Sequence, residues 1–117
     1  MNKVVIGILE KTRNILTDEK NWTQGSYAKD KAGDPVSSFA PEATCWCLSG
    51  AMDLAAWGEP ISWFDNAVDH LSAQQLVQDV VVIRIGDYTR SRFNDTHTHA
   101  EVLEVLDEAI ELANKSL

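Results

Sequence analysis

A chain of 117 residues can bury one hydrophobic core but not two of ordinary size, so we expect a single globular domain over residues 1–117. Its hydrophobic share of 44% and charged share of 24% are ordinary for a soluble protein, and no apolar run approaches the ~20 residues of a membrane span. The net charge of −8 disfavours direct nucleic-acid binding, which normally requires a basic patch.

The first segment of the chain predicts an amphipathic helix from Asn2 to about Thr17. Its apolar run is as short as that of a secretion signal, but no small-residue cleavage site follows and charged residues come at once. We therefore expect a cytoplasmic protein whose first helix packs on the core. The apolar residues near helical spacing are Val4, Val5, Ile8, Leu9, Ile15 and Leu16.

Two short polar segments follow this helix. Residues 22–25 have the composition of a turn, and a Lys-Ala-Gly-Asp-Pro sequence lies at the centre of residues 26–37. Glycine and proline between short β-prone runs are typical of a hairpin or a loop. We expect either a loop or a short β-hairpin at residues 26–37, the hairpin being stable only if it packs on a helix.

The stretch from Thr44 to Gly58 predicts a buried central helix. At about 100° per residue, only Ser49 and Asp53 form a polar strip, and apolar residues cover the other sides. Pro41 suits the first helical turn and Gly58 suits the carboxyl-terminal cap. We expect the other elements to wrap around this helix.

A third helix is predicted to start at Ser62, and a second start signal, Ser72 with Gln75, lies further along the same segment. Residues 80–85 are β-branched enough for a strand, but their apolar positions continue at helical spacing, which favours helix. Residues 87–97 are predicted as a polar loop. The apolar face of the third helix should carry Trp63, Phe64, Ala67, Val68 and Leu71.

The last helix is predicted from His99 to about Asn114. Thr98 and Glu101 form a capping box at its start. Together these elements predict a mainly α fold, a compact bundle of four to five helices around a buried central helix. The inward face of the last helix should carry Val102, Leu103, Leu106, Ala109, Ile110 and Ala113.

Several short motifs, taken in order, are similar to those of a known family. They are Trp22-x-Gln24-Gly25, then Gly33 and Val36, then Cys45-Trp46-Cys47-Leu48-x-Gly50-Ala51, then Phe93-Asn94-Asp95, and last a Thr-capped helix with Val102-Leu103. The set resembles the short bacterial and phage-borne proteins catalogued as domain of unknown function 6197. The resemblance spans most of the chain and implies a mostly helical single domain of phage or mobile-element origin. It implies no activity, because the family is named for lacking one.

A thiol site is the first candidate for chemistry. Cys45 and Cys47 lie near the predicted start of the central helix, where a helix dipole lowers the pKa of a thiol. His97 or His99 would act as the base, with Asp95 to orient it. The alternative function is then a small thiol-dependent hydrolase or transferase. Cysteines on an otherwise apolar helix are more often core residues, so we predict no catalytic residue.

The same two cysteines and two histidines would supply four zinc ligands by count. In a helix, residues two apart point about 200° away from each other, so Cys45 and Cys47 would not face one ion. We therefore predict no metal site and no cofactor.

Polar residues in predicted loops form a second candidate site. Trp22, Gln24, Asn94 and Asp95 are of types that bind ligands, and loops on a rigid scaffold often carry function. The same residue types also form turns for purely local reasons. The alternative function here is a small-metabolite binder.

Acidic residues form a stripe on the last helix, namely Glu101, Glu104, Glu108 and Glu111, within a half of the chain that carries eleven acidic and four basic residues. Glu104, Glu108 and Glu111 are the predicted contacts for a protein partner with a basic surface. The solvated face of an amphipathic helix shows the same pattern. The leading functional prediction is a non-enzymatic binding or interaction module without membrane or nucleic-acid binding.

Overall fold

The computed structural model describes residues 3–58, 63–86 and 89–115. Within them the chain forms five α-helices, a 3-10 turn and three two-residue strands, which confirms the predicted mainly α fold. The helices are α1 (Lys3–Leu16), α2 (Leu48–Trp57), α3 (Trp63–Ile85), α4 (Arg90–Thr96) and α5 (His99–Lys115). The strands are β1 (Ala28–Lys29), β2 (Pro35–Val36) and β3 (Cys45–Trp46).

Helix α1 confirms the predicted first helix and buries one face. Thr12 also lies on that buried face, where its hydroxyl donates to the carbonyl of Ile8 at 2.7 Å, so burial leaves no polar group of this side chain unpaired. Val4, which the apolar pattern placed inward, is exposed. The buried apolar residues of α1 are Val5, Ile6, Ile8, Leu9 and Leu16.

The predicted hairpin at residues 26–37 is present as β1 and β2, and a third strand completes an antiparallel sheet in the order β2-β1-β3. Gly33 provides the left-handed residue of the hairpin turn, with a φ of 88°. The Asp30 carboxylate accepts from the backbone N–H groups of Ala32 and Asp34, both at 2.9 Å. This turn chemistry explains why the short ribbon forms where the sequence predicted it.

The start of the central helix was predicted wrongly. Helix α2 begins at Leu48, not at Thr44, because residues 44–47 pair with β1 instead. The backbone N–H groups of Thr44 and Cys47 donate to the carbonyls of Lys29 and Tyr27 at 2.9 and 3.1 Å. Residues 41–42 accordingly lie in a turn ahead of β3 rather than in a first helical turn. The predicted cap at Gly58 is confirmed.

Burial of α2 is confirmed and places it at the centre of the core. The helix packs against α1, α3 and α4, and α1 packs in turn on α3 and α5. Gly50 allows the closest of these approaches, because a Cβ at this position would overlap the backbone carbonyl of Tyr27 in the sheet. The buried residues of α2 are Leu48, Ser49, Gly50, Ala51, Met52, Ala55 and Ala56.

Helix α3 runs unbroken through the second start signal at Ser72 and through residues 80–85, so helix is confirmed over strand there. Its predicted apolar face is wrong in part. Val68 and Leu71 are 67% and 64% exposed, because the face turned to the core is rotated by about a third of a turn from the predicted one. Ser62 and the side chains of Trp63 and Phe64 lie outside the described residues. The buried face carries His70, Ala73, Val77, Val80 and Val81.

Residues 90–96 form helix α4, where the sequence predicted a polar loop. Thr89 caps it, since the Thr89 Oγ1 accepts from the backbone N–H of Arg92 at 3.1 Å. The helix is held by two residues that are essentially fully buried, Phe93 and Asn94. A single apolar anchor in a polar stretch was too weak a pattern to predict it.

Helix α5 starts at the predicted capping box. The Glu101 carboxylate accepts from the backbone N–H of Thr98 at 3.0 Å, and the Thr98 hydroxyl accepts from the backbone N–H of Glu101 at 3.2 Å. Leu103 and Ile110, predicted inward, are partly buried. The fully buried residues of α5 are Val102, Val105, Leu106, Ala109 and Ala113.

Candidate functional site

A buried asparagine joins three separate segments of the chain. The Asn94 side-chain oxygen accepts from the indole Nε1 of Trp22 at 2.7 Å and from the backbone N–H of Leu48 at 3.0 Å. Its amide nitrogen donates to the carbonyl of Thr23 at 2.9 Å. We call these hydrogen bonds the Asn94 clasp. The clasp fixes α4 and the 22–25 turn against the start of α2.

Two further polar side chains strengthen the same junction. The Gln24 amide nitrogen donates to the carbonyls of Asn94 and His97 at 3.0 and 3.1 Å. The Asp95 carboxylate accepts from the backbone N–H of Gly25 at 2.9 Å. The structure therefore brings together all four predicted ligand-binding residues. Their hydrogen bonds are with one another and with the backbone, as turn and scaffold residues would have.

Beside this junction lie two adjoining cavities, which share Ser26 and Tyr27 as lining residues. The larger, of about 570 Å³, is also lined by residues 35–39 and by Asp53. The smaller, of about 220 Å³, is also lined by Gly25, Cys47, Ser91 and Asp95. We call the two cavities together the Tyr27 cleft. Helix α2 and its cap contribute Asp53 and Cys47 to the lining, α4 contributes Ser91 and Asp95, and β2 lies along the larger cavity.

The cleft combines exposed aromatic side chains with carboxylates. Tyr27 is 58% exposed and Phe39 is 51% exposed, so both rings leave apolar surface in contact with water. The charged residue that lines the larger cavity is Asp53, and the charged residue that lines the smaller one is Asp95. Both are acidic. The cleft therefore presents apolar ring surface next to negative charge.

Behind Asp53 stands a buried histidine. His70 is only 7% exposed, and its Nδ1 accepts from the indole Nε1 of Trp57 at 2.9 Å. In the neutral ring the proton must then be on Nε2. That nitrogen lies 3.2 Å from the Asp53 carboxylate, within ion-pair distance but not aligned for a hydrogen bond. The Asp53 side chain is 32% exposed, so it faces the cleft and the histidine together.

Arg90 is a basic residue whose guanidinium lies within electrostatic range of Asp53 and Tyr27. Burial lowers the pKa of its guanidinium, and the negative charge of Asp53 acts in the opposite direction. Its Nη1 donates to the carbonyl of Gln74 at 3.2 Å, which holds the side chain against α3. Arg90 therefore lies beside the cleft without lining either cavity.

A family model described as a family of unknown function, DUF6197, matches residues 1–112. The chain belongs to this family. No curated protein and no solved structure matches the chain. The DUF6197 match includes the Asn94 clasp and every residue that lines the Tyr27 cleft.

The two cysteines of this DUF6197 member occupy different environments. Cys47 is buried at the start of α2, where its sulfur accepts from the backbone N–H of Gly50 at 3.3 Å. Burial raises the pKa of the Cys47 thiol above its ordinary value, outweighing the backbone hydrogen bonds from Gly50 and Ser49. Cys45 lies on β3 with its sulfur 3.8 Å from the carbonyl of Lys29. Cys45 and Cys47 are two residues apart in an extended segment rather than in a helix, so their side chains point to the same face of the chain.

The histidines of the thiol hypothesis make structural contacts. The His97 ring stacks on Phe93 at 4.3 Å, and its Nδ1 lies 3.1 Å from the Phe93 carbonyl. His99 donates from Nε2 to the carbonyl of Leu16, which ties α5 to the end of α1. Over residues 3–58, 63–86 and 89–115, no group of three or more His, Cys, Asp or Glu side chains is placed to hold a metal ion. In that same part of the chain no helix has the length and hydropathy to cross a membrane.

The acidic residues of α5 form ion pairs with basic residues of the same chain. Arg84 lies 2.7 Å from the Glu108 carboxylate and 3.4 Å from that of Glu104. Lys115 lies 3.0 Å from the Glu111 carboxylate, one turn away on the same helix. The predicted partner-binding residues are thus solvent-facing but already paired in part. Because these ion pairs partly neutralise the carboxylates, α5 attracts a basic partner less strongly than the sequence pattern suggested.

The sequence did not single out Tyr27, Phe39 or His70 as site residues. Tyr27 and Phe39 flank the hairpin, and only its antiparallel pairing brings them to one cavity. The sequence did contain a signal for Asp53, because it is the one ionisable side chain on α2, a helix whose other residues are mostly buried. Charged residues are rarely placed on buried helices without a partner, and here the partner is His70.

Proposed function

We propose that this DUF6197 member is a non-enzymatic binding module that holds a ligand in the Tyr27 cleft. The observation that carries the proposal is the pair of adjoining cavities on either side of an exposed tyrosine. Aromatic side chains such as Tyr27 and Phe39 contribute a large apolar area with few rotatable bonds, which favours their use in recognition. An exposed aromatic patch at a concave site is a common mark of binding.

The elements that carry the cleft are joined by buried contacts, which supports a preformed binding site. Asn94 is fully buried and all of its hydrogen-bonding atoms are used within the clasp. Helix α2 meets the sheet so closely that Gly50 has no room for a side chain. A preformed site of this kind loses little conformational entropy when a ligand binds.

Binding is favoured over thiol chemistry by the state of Cys47. A nucleophilic cysteine needs a large thiolate fraction near neutral pH, and burial shifts the pKa of Cys47 in the opposite direction. Its sulfur also serves as the cap of α2, which is a sufficient structural role. The small-metabolite alternative is compatible with the same cleft, with Asp95 as the predicted residue that lines it.

A fragment screen by ligand-observed NMR tests the proposal. Fragments that bind the wild-type protein are tested again with Tyr27→Ala, Phe39→Ala and Leu71→Ala. Leu71 is the matched control, since it is a large exposed side chain on α3 away from the cavities. We expect binding to be lost in the first two variants and kept in the third. An absence of binders, or equal binding by wild type and Tyr27→Ala, would contradict the proposal.

A further inference from the structure

We propose that the Tyr27 cleft binds an extended peptide segment of a partner protein through a lysine or arginine side chain, whose cationic end pairs with Asp53. This inference rests on the proposed function and adds the chemical class of the ligand. Its basis is the combination, in one cavity, of a partly exposed carboxylate, two exposed aromatic rings and a buried histidine behind the carboxylate.

Charge complementarity selects a cation. The charged residues that line the two cavities are both carboxylates, and the chain carries a net charge of −8. Ammonium and guanidinium groups are attracted both by a carboxylate and by the face of an aromatic ring. Tyr27 and Phe39 line the same cavity as Asp53, so one cation entering it meets both kinds of group.

The buried histidine lies against the Asp53 carboxylate without closing it off from the cleft. Trp57 donates to Nδ1 of His70, which leaves the proton of the neutral ring on Nε2 next to Asp53. The Asp53 side chain stays 32% exposed and lines the larger cavity, so part of the carboxylate is open to the cleft. Arg90 is tied to the Gln74 carbonyl, and no hydrogen bond joins it to Asp53 among the described residues. The Asp53 carboxylate therefore retains capacity for a cation that comes from solvent.

The form of the cleft favours a peptide over a small amine. Its two cavities adjoin across Ser26 and Tyr27, and each offers a carboxylate, so the lined surface continues past the first cation site. The larger cavity follows β2 and the residues after it, and β2 is an edge strand of the sheet. This edge offers the main chain of only Pro35 and Val36, and Pro35 has no N–H group, so we expect the peptide to be held by side-chain contacts in the two cavities rather than by added strand pairing.

The test uses short peptides capped at both ends, titrated into ¹⁵N-labelled protein at low salt. The peptides are Ala-Gly-Lys-Gly-Ala and the same sequence with norleucine or glutamate in place of lysine. We expect the lysine peptide to bind roughly tenfold more tightly than the norleucine peptide, and the glutamate peptide most weakly, because one well-placed ion pair is worth about a factor of ten. Free n-butylammonium, the lysine side chain alone, should bind more weakly than the lysine peptide.

Matched variants locate the effect. Asp53→Asn should reduce affinity for the lysine peptide to that for the norleucine peptide, and Asp53→Glu should keep part of the preference, which separates loss of charge from loss of folding. Glu111→Gln removes the same unit of charge from α5 and should leave the affinity within about twofold. An equal effect of Asp53→Asn and Glu111→Gln would overturn the inference, because it would reflect overall charge.

The remaining outcomes separate the two proposals. Equal binding of lysine and norleucine peptides with amide shifts in the Tyr27 cleft overturns the cation inference and leaves the proposed function standing. Butylammonium binding as tightly as the lysine peptide overturns the peptide part and indicates a small cationic ligand. Tighter binding of the glutamate peptide overturns the assignment of charge. Failure of every peptide and of every fragment to shift cleft residues overturns both proposals.

Discussion

The side-chain oxygen of Asn94 lies 3.0 Å from the backbone nitrogen of Leu48, so an amide in the middle of α4 satisfies the first N–H group of α2. Such N–H groups lack partners within their own helix and need one elsewhere when they are buried. Here the partner comes from a residue far along the chain that also holds the Trp22 indole. The contact joins the start of α2 to α4, which contributes Ser91 and Asp95 to the Tyr27 cleft.

Substitution of Asn94 should therefore destabilise the fold strongly. Asn94→Ala should cost roughly 3 kcal/mol or more in the free energy of unfolding, since each buried donor left unpaired costs about 1–3 kcal/mol. Asn94→Asp keeps the acceptor but sets a carboxylate against the Thr23 carbonyl and against Asp95. Urea denaturation measures both. Asn114→Ala, at an exposed position on α5, is the control and should change the stability by less than about 0.5 kcal/mol. A cost for Asn94→Ala as small as that of the control would refute the role of the clasp.

Two glycines in helices should respond to alanine in opposite directions. Gly50→Ala places a methyl group on the Tyr27 carbonyl, so we expect a loss of about 3 kcal/mol, at the upper end of overpacking costs. Gly7→Ala meets nothing within 4 Å and should stabilise α1 by about 0.5–1 kcal/mol through helix propensity. Thermal unfolding followed by circular dichroism separates the two. Similar shifts of the melting temperature in the two variants would show that α2 does not approach the sheet this closely.

Cys47 should act as a cap and as a group that makes stability depend on alkaline pH. Folding raises the pKa of Cys47, so the buried thiol stabilises the folded protein only while it is protonated. This stabilisation is fully present below about pH 8.5, the ordinary thiol pKa, and is lost as the pH rises through the higher pKa of the folded state. The wild type should lose more stability than Cys47→Ser between about pH 7 and about pH 10. Serine keeps a capping oxygen, whereas Cys47→Ala should cost about 1 kcal/mol at neutral pH.

Alkylation by iodoacetamide gives an independent reading of the same thiol. Native protein near neutral pH should react slowly at Cys47, and mass spectrometry of the peptides after digestion gives the extent at each cysteine separately. Fast modification of Cys47 in the folded protein would contradict its burial and would favour the alternative function, a thiol-dependent hydrolase or transferase.

The capping box of α5 should be lost in acid. Hydrogen bonds from the backbone N–H and hydroxyl of Thr98 lower the pKa of the Glu101 carboxyl. The ionised Glu101 carboxylate therefore stabilises the folded protein fully above the ordinary glutamate pKa of about 4.3, and this stabilisation is lost as the pH falls through the lowered pKa. Glu101→Gln should melt at a lower temperature than wild type at neutral pH, with a difference that shrinks in acid. A difference that stays constant with pH would show that the charge of Glu101 is not involved.

Much of the fold could be predicted because its signals are local. The capping box of Thr98 and Glu101, the turn at Gly33 and the apolar spacing of α1 each involve residues a few positions apart. The start of α2 could not be predicted, since an apolar run such as residues 44–47 suits a strand and a helix equally. The choice is made by hydrogen bonds to β1, which depend on the tertiary arrangement.

The candidate site divides in the same way. The sequence suggested Trp22, Gln24, Asn94 and Asp95, because each is of a residue type that often binds ligands. In the structure these four residues do meet. Tyr27 and His70 have no such signal, since an exposed tyrosine and a histidine on a helix are common in any protein. Their importance follows only from the cavity and from the approach of α3 to α2.

The most direct measurement is a map of amide chemical shifts on addition of the lysine peptide to the ¹⁵N-labelled protein. The account predicts that the largest shifts fall at Ser26, Tyr27, Phe39 and Asp53, with little change along α5. Largest shifts around Glu104, Glu108 and Glu111 would contradict it and would identify the acidic face of α5 as the binding surface. An unchanged spectrum across the cleft would contradict it as well.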